Sequence, residues 1–269
     1  MKHDAFVSFI IPTYQDDSLL KKCLDSLVSK GISGFAGKYE VIIVDDGSSP
    51  EIQKAVIVLA KMYGCKVILK SRNESFTRAV NSGLKIARGN YLVLVNNDIE
   101  FCQKGWLLKI LSLFQADPKV GIAGCRLVYP DGTIQHGGMG YYPNGKYMFA
   151  HYYHGYPRNH PAAMENRIVL AVTGALMTIK RALLQDIGLL DETFLLVCSD
   201  TDICLRTHKA GWAVAYCGQA EAIHHEGGTR GNTAENKIPA FSVLEDKDVE
   251  VFFERWHKVL PKMAEQIHN

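Results

Sequence analysis

The sequence predicts an α/β fold, with a mostly parallel central sheet flanked by helices, a hairpin- and loop-rich region after it, and a helix near the C-terminus. Three observations predict this. Strand and helix patterns alternate through the first half of the chain, as expected of β-α-β units with right-handed crossovers. Tyr91-Leu92-Val93-Leu94-Val95 is apolar throughout, without the alternation of a strand that has one wet face, so it reads as a strand buried on both sides. That run stops at Asn96-Asn97-Asp98, and open α/β sheets bind ligands in the crevice at the carboxyl ends of their strands.

Each element follows from local pattern. Phe6 to Ile11 is an apolar run closed by Pro12, a strand. Ser18 to Val28 places Leu19, Leu20, Cys23, Leu24 and Leu27 at helical spacing. Tyr39 to Val44 is the second strand, ended by Asp45-Asp46-Gly47-Ser48-Ser49. Pro50 then stands near the start of a helix to about Met62, where its missing N–H is tolerated. Cys65 to Leu69 is a third strand and Phe76 to Ala87 a third helix. After Tyr91 to Val95 come a helix from about Lys104 to Gln115 and a strand from Val120 to Ala123. Residues 126–165, rich in Gly, Tyr, His and Pro, predict hairpins and a long surface loop around Gly137 to His160. Ile168 to Ile179 is strand-like, interrupted at Thr173-Gly174, and Arg181 to Ile187 is a short helix. Asp200 to Ala210 is a helix opened by acids, which its dipole favours. Ala213 to Tyr216 and Glu221 to Ile223 read as two short strands. Asp246 to Val259 is a final amphipathic helix, with Val249, Phe252, Phe253 and Trp256 on one face.

Composition narrows the function classes. With 269 residues, 47% hydrophobic and 22% charged, the chain has the makeup of a soluble globular protein. A net charge of +2 gives no field that selects nucleic acid. Seven cysteines lie scattered with no C-x-x-C pair, which predicts reduced thiols and a cytoplasmic location. The apolar stretch before Pro12 is too short for a membrane span and lacks a cleavage site, so neither a signal peptide nor a spanning helix is expected. Any membrane attachment is expected to be peripheral.

Three polar clusters stand at strand ends or helix starts. Asp45-Asp46 could be a turn that caps the next helix, but one carboxylate would serve that purpose. Two in a row after a buried strand suit hydrogen bonds from a ligand such as a base N–H or ribose hydroxyls. Asn96-Asn97-Asp98 could be a strand-ending turn, or an oxygen site for a hard divalent cation. Asp200 and Asp202 could be plain N-terminal helix acids, and His224-His225 could be one buried and one exposed histidine. Each bland reading is reasonable alone; three such sites in one α/β chain make them jointly less so.

These residues carry a resemblance. The chain resembles the family 2 glycosyltransferases of the GT-A fold, in particular the bacterial rhamnosyltransferase-like subgroup of surface-polysaccharide synthesis. The resemblance covers residues 6 to 230. Its parts stand in order: Val7 to Tyr14; Val41 to Ser49; Asn73 to Phe76 with Asn81 and Gly83; Leu94 to Asp98; Asp117 to Gly121; Asp131-Gly132-Thr133-Ile134-Gln135; Val172 to Ala175; Gly188 to Glu192; Asp200 to Arg206; and His224-His225. It implies a nucleotide-binding half of about 1–125, an acceptor half of about 126–240 and a helical extension over 241–269. It also implies roles: Pro12, Thr13 and Tyr14 as the first nucleotide loop; Asp45 and Asp46 for nucleobase and ribose; Asn81, Asn96 and Asn97 on the nucleotide side. Asp98 would be the metal ligand of an N-x-D form of the family's D-x-D element, with His224, or alternatively His225, near the diphosphate. Asp200 would be the base, and Thr173, Gly174, Asp202 and His225 would line the donor and acceptor site. Expected ligands are Mn2+ or Mg2+, a nucleoside-diphosphate sugar carrying uridine or deoxythymidine, and a glycan or lipid-linked glycan acceptor. A homodimer is left open.

The chemistry suits these residue types. Expelling a nucleoside diphosphate leaves negative charge that a cation stabilises. An acceptor hydroxyl needs a base, and a single attack from the opposite face inverts the anomeric centre. Two departures stand out: Ser199 replaces the family's usual Glu before the base, and Ser75 stands where Gly is usual. Gly140 to Lys146 imitates a phosphate loop without its strand–helix context, and His225-Glu226-Gly227-Gly228-Thr229 lacks the second histidine of a zinc protease. His151, His154 and His160 read as surface or acceptor-contacting residues, and the tyrosines between 141 and 156 as the acceptor platform. The competing class is a non-catalytic sugar-nucleotide- or carbohydrate-binding protein on the same fold.

Overall fold

In the computed structural model, residues 5–145, 147–226 and 239–268 are described. Lys146 of the phosphate-loop imitation and Gly227 to Thr229 of the protease-like run lie outside them. The elements run β1 (Phe6–Thr13), α1 (Asp17–Ser26), β2 (Lys38–Asp45), α2 (Pro50–Tyr63), β3 (Lys66–Leu69), α3 (Phe76–Ile86), β4 (Tyr91–Val95), β5 (Ile99–Glu100), α4 (Trp106–Ala116), β6 (Val120–Val128), β7 (Ile134–His136), β8 (Met139–Tyr141), β9 (Phe149–His151), β10 (Arg167–Ile168), β11 (Leu176–Lys180), α5 (Arg181–Ile187), α6 (Ser199–Lys209), β12 (Ala213–His224), α7 (Pro239–Trp256) and α8 (Leu260–His268).

The main sheet has the order β10-β12-β6-β11-β4-β1-β2-β3. β4, β1, β2 and β3 form a parallel half, and β6 and β12 a parallel pair. β11 runs antiparallel between β4 and β6 and joins the two, so the sheet is mixed. Its two faces carry separate cores, and the side chains of β4 divide between them. Val93 and Val95 pack with Phe9 and Leu24 on one face, while Leu92 and Leu94 pack with Ile10 and Val80 on the other. That two-sided burial is why the strand shows no alternation.

Helix starts follow their capping residues. Asp16 accepts the N–H of Leu19 at 2.8 Å to open α1, and Ser49 with Pro50 opens α2, which closes on Gly64 at φ 65°. A π-helical turn, Leu27–Gly31, extends the end of α1.

Several segments differ from the sequence expectation. β6 runs on to Val128 with every residue buried, because Arg126 inside it is neutralised by Glu221 at 2.7 Å and by the Gly218 carbonyl. The two short strands expected over 213–223 are one strand, β12, with a register irregularity between Cys217 and Glu221. The surface loop expected around Gly137 to His160 is in part interior: β8 and β9 pair, and Met139, Met148 and Phe149 are core residues. The final helix starts earlier, at Pro239, and is followed by α8. Phe252, Trp256, Leu260 and Met263 from these helices enter the core, so this segment packs on the domain. Phe253 does not share that face; it is exposed and stacks on His257. Among the described residues no helix is long and apolar enough to cross a membrane, and the seven cysteines are free.

Candidate active site

A cleft of about 360 Å³ opens at the carboxyl ends of β1 and β4. Pro12, Thr13 and Tyr14 reach it from the end of β1, Asp46 from the turn after β2, and Asn96, Asn97 and Asp98 from the end of β4. Thr173 and Gly174 enter just before β11, Asp200 in the first turn of α6, and His224 as the last residue of β12. Sequence positions more than two hundred residues apart thus share one wall.

Asp200 is held by backbone donors. Its Oδ2 accepts the Gly174 N–H at 2.8 Å and its Oδ1 accepts its own neighbour's N–H, from Thr201, at 2.8 Å. Both oxygens keep a lone pair for a further donor. Asp98 Oδ1 lies 3.1 Å from His224 Nε2, and the antiparallel pairing of β5 with β12 sets this contact, with His224 opposite Ile99. Asn97 Nδ2 donates to Thr13 Oγ1 at 3.1 Å, tying the ends of β4 and β1 together.

Asp46 accepts the N–H groups of Glu74 and Ser75 and pairs with Lys70 at 3.4 Å. Burial pushes its carboxyl above the ordinary value, against the pull of those partners. The Asp45–Ser49 turn packs directly on residues 72 and 73: a Cβ on Gly47, at φ 80°, would stand 2.1 Å from the Arg72 carbonyl carbon, so only glycine fits.

Other residues singled out in the sequence do not reach the cleft. Asp45 is buried behind it, accepting Ser48 N–H and Gln53 Nε2, with its other oxygen unpartnered among the described residues. Asn81 faces away and donates to the Leu190 carbonyl and Glu192. Asp202 lies two residues past Asp200, about 200° around the helix. It is fully buried against Arg206, Arg255 and the Trp256 indole N–H. His225 alternates to the other side of the chain and pairs with Glu100 at 3.2 Å. The adjacent histidines are thus separated by geometry, with His224 beside Asp98.

Part of the wall was not foreseen. Phe76, Met139, Phe149 and Leu196 give the cleft an apolar side. Of the expected tyrosine platform only Tyr147 lines it, and Tyr142 and Tyr156 point outward. His151, taken from sequence as a surface or acceptor-contacting residue, sits in the wall 3.2 Å from buried His136. The loop 195–197 is pinned from α7: buried Asp248 accepts the N–H groups of Leu195, Leu196 and Val197 at 2.7–3.0 Å. A lone acid on a helix far along the chain gave no sequence signal for this.

Asp98 and His224 fit a divalent cation as a carboxylate and an imidazole converging on one point at the cleft wall. Among the described residues no group of three or more His, Cys, Asp or Glu side chains converges on a point.

Comparisons with known proteins bear on the family and the fold. A family model described as glycosyl transferase family 2 matches residues 8–188. The chain is 32% identical over 240 residues to protein y4gI of Sinorhizobium fredii, covering 86% of this chain and 26% of that one. It is 29% identical over 232 residues to the O-antigen biosynthesis protein RfbC of Myxococcus xanthus, covering 83% of this chain and 18% of that one. This chain therefore spans about a quarter or less of these relatives. In fold it is similar to GalNAc-T7 solved with UDP, GalNAc and Mn2+, at TM-score 0.72 and 15% identity over 94% of this chain and 49% of that one. It is also similar to the mannosyltransferase PcManGT of Pyrobaculum calidifontis solved with GDP-Man and Mn2+, at TM-score 0.65 and 17% identity over 99% of this chain and 74% of that one.

Proposed function

Because this chain belongs to glycosyl transferase family 2 and has the GT-A fold, we propose that it is a metal-dependent, inverting glycosyltransferase. In this reading it moves a sugar from a UDP- or dTDP-sugar to a hydroxyl of a glycan or lipid-linked glycan in polysaccharide synthesis. One observation carries the reading: the Asp98–His224 pair and Asp200, held by different elements, open onto the same cleft. A binding module has no use for a rigidly oriented carboxylate beside a cation site. The UDP, GalNAc and Mn2+ in one fold neighbour, the GDP-Man and Mn2+ in the other, and the O-antigen relative support the same choice.

The parts divide as follows. Pro12 to Tyr14 and Asp46 bind and orient the nucleoside. Asp98 and His224 hold Mn2+ or Mg2+, which when bound supplies charge stabilisation to the leaving diphosphate. Asp200, its carboxylate fixed by Gly174 and Thr201, takes the proton of the acceptor hydroxyl as that oxygen attacks the anomeric carbon. The bond to the diphosphate breaks on the opposite side, so configuration inverts without a covalent enzyme intermediate. The apolar side formed by Phe76, Tyr147 and Phe149 excludes water from the reacting centre.

The test is a screen of nucleotide sugars with Mn2+ and Mg2+, reading thermal stabilisation and nucleoside-diphosphate release with a glycan acceptor. Stabilisation without release in the presence of acceptors would favour the binding-protein alternative.

A further inference from the structure

Behind the cleft wall, His224 is joined to a side chain that does not itself line the cleft. Its Nδ1 lies 2.7 Å from Gln135 Oε1, and Gln135 Nε2 lies 2.8 Å from Glu226 Oε2. Gln135 is buried, at 5% exposure. Its placement comes from an irregularity in the backbone. β7 pairs with β6 through Leu127 with His136 and Val128 with Ile134, which leaves Gln135 as the extra residue of a β-bulge. Bulges re-aim a side chain, and they recur beside active sites.

The direction of the hydrogen bonds follows from the chemistry of the groups. The Glu226 carboxylate only accepts, so it takes the NH2 end of the Gln135 amide. The Tyr129 hydroxyl bonds to Glu226 as well. That leaves Oε1, which also only accepts, facing His224, so Nδ1 of the ring must donate. A ring that carries its hydrogen on Nδ1 presents the Nε2 lone pair, and Nε2 is the atom beside Asp98. With the amide reversed, Nδ1 would be the acceptor and Nε2 would carry the hydrogen, closed to a cation.

We propose that Gln135 is a positioning residue for the cation site: the bulge aims its amide at His224, Glu226 fixes which end points there, and Nε2 is thereby kept open toward Asp98. The inference rests on the reading of Asp98 and His224 as metal ligands. Outer partners of metal-bound histidines act this way, and losing one typically weakens metal binding about 10–100-fold.

The experiment titrates Mn2+ alone into the full chain and follows water-proton relaxation, which reads binding without turnover. Melting temperature is recorded beside it. The expectation is that Gln135→Met, similar in shape but unable to accept the bond, weakens Mn2+ binding by about tenfold or more. The double variant Gln135→Glu with Glu226→Gln puts an obligate acceptor against Nδ1 and an amide behind it, and is expected to bind Mn2+ close to wild type. Gln135→Glu alone sets two carboxylates face to face and is expected to do worse than the pair. Wild-type Mn2+ binding by Gln135→Met, or no rescue in the double variant, overturns the proposal; a structural role alone would lower the melting temperature and leave Mn2+ affinity in place. Asp98→Asn separates the two levels. If it leaves Mn2+ binding unchanged, the metal reading itself falls and the inference falls with it; if it weakens binding while Gln135→Met does not, only the inference falls.

Discussion

Gly174 donates its N–H to Asp200 Oδ2 at 2.8 Å, and a Cβ added at Gly174 would stand only 3.1 Å from Asp200 Cβ. The missing side chain is what lets the backbone act as the carboxylate's clamp. Asp200→Asn is therefore expected to lower kcat by about 10²–10⁴ while nucleotide-sugar binding persists. Gly174→Ala, which pushes Asp200 by a few tenths of an ångström, is expected to lower kcat with little change in donor KM. Steady-state kinetics with donor and acceptor varied separately check both.

Removal of the cation is expected to abolish transfer, and Mn2+ or Mg2+ to restore it. With nucleotide sugar and Mn2+ present at about 100 times Kd, the native state gains about 2.7 kcal/mol. Asp98→Asn is expected to lose most of that gain in the same thermal-shift measurement.

Ser75 occupies a conformation that suits glycine, with φ 106° and ψ 158°, and its hydroxyl is buried without a partner among the described residues. Such a backbone costs about 1–3 kcal/mol in an L-residue. Ser75→Gly should recover about 1 kcal/mol of stability, measured by denaturant unfolding, while the Ser75 N–H keeps its bond to Asp46 at 3.0 Å.

Asp248→Ala leaves three partly buried N–H groups without their acceptor. A loss of about 3–5 kcal/mol is expected. Activity should fall with it, because residues 195–197 lead directly into α6 and Asp200. Asp248→Asn, which keeps one acceptor oxygen, is expected to lose less on both measures.

Stability is expected to fall as pH drops below about 6.5. Burial, with His151 and His224 nearby, holds fully buried His136 well below its ordinary value of 6.5, and burial lowers His208 despite the Val169 and Leu170 carbonyls. The unfolded chain takes up protons on these rings near pH 6.5 while the folded chain stays neutral there, so the unfolded state gains on acidification. Each ring contributes up to about 1.4 kcal/mol per pH unit until its folded value is reached. Denaturant unfolding at pH 7.5, 6.5 and 5.5 gives the slope, and His208→Gln should remove one ring's share.

What the sequence made legible is mostly what is local. β4 and its Asn96-Asn97-Asp98 end were readable because a run of apolar residues and its polar stop lie side by side in the chain. Asp200 and Asp202 differ by a rotation about one helix, and only the packing of Trp256 and Arg255 shows which of them faces inward to the core. His224 and His225 are inseparable by spacing, and β5, only two residues long, decides between them. The far end of β6 was lost because Arg126 looks like a surface residue until Glu221 is placed beside it. Gln135 and Asp248 act through partners 89 and 53 positions away, and no pattern within a short window reports such pairs.

The pinning of residues 195–197 from α7 has a consequence for synthesis. The strands of the parallel half, β1 to β4, all lie within residues 6–95 and can pair before the rest of the chain has been made. The loop that leads into α6 lacks the Asp248 acceptor for its N–H groups until that residue has been translated, 53 residues after Leu195. A nascent chain can thus hold a nearly complete sheet and still lack a working site, with competence arriving last.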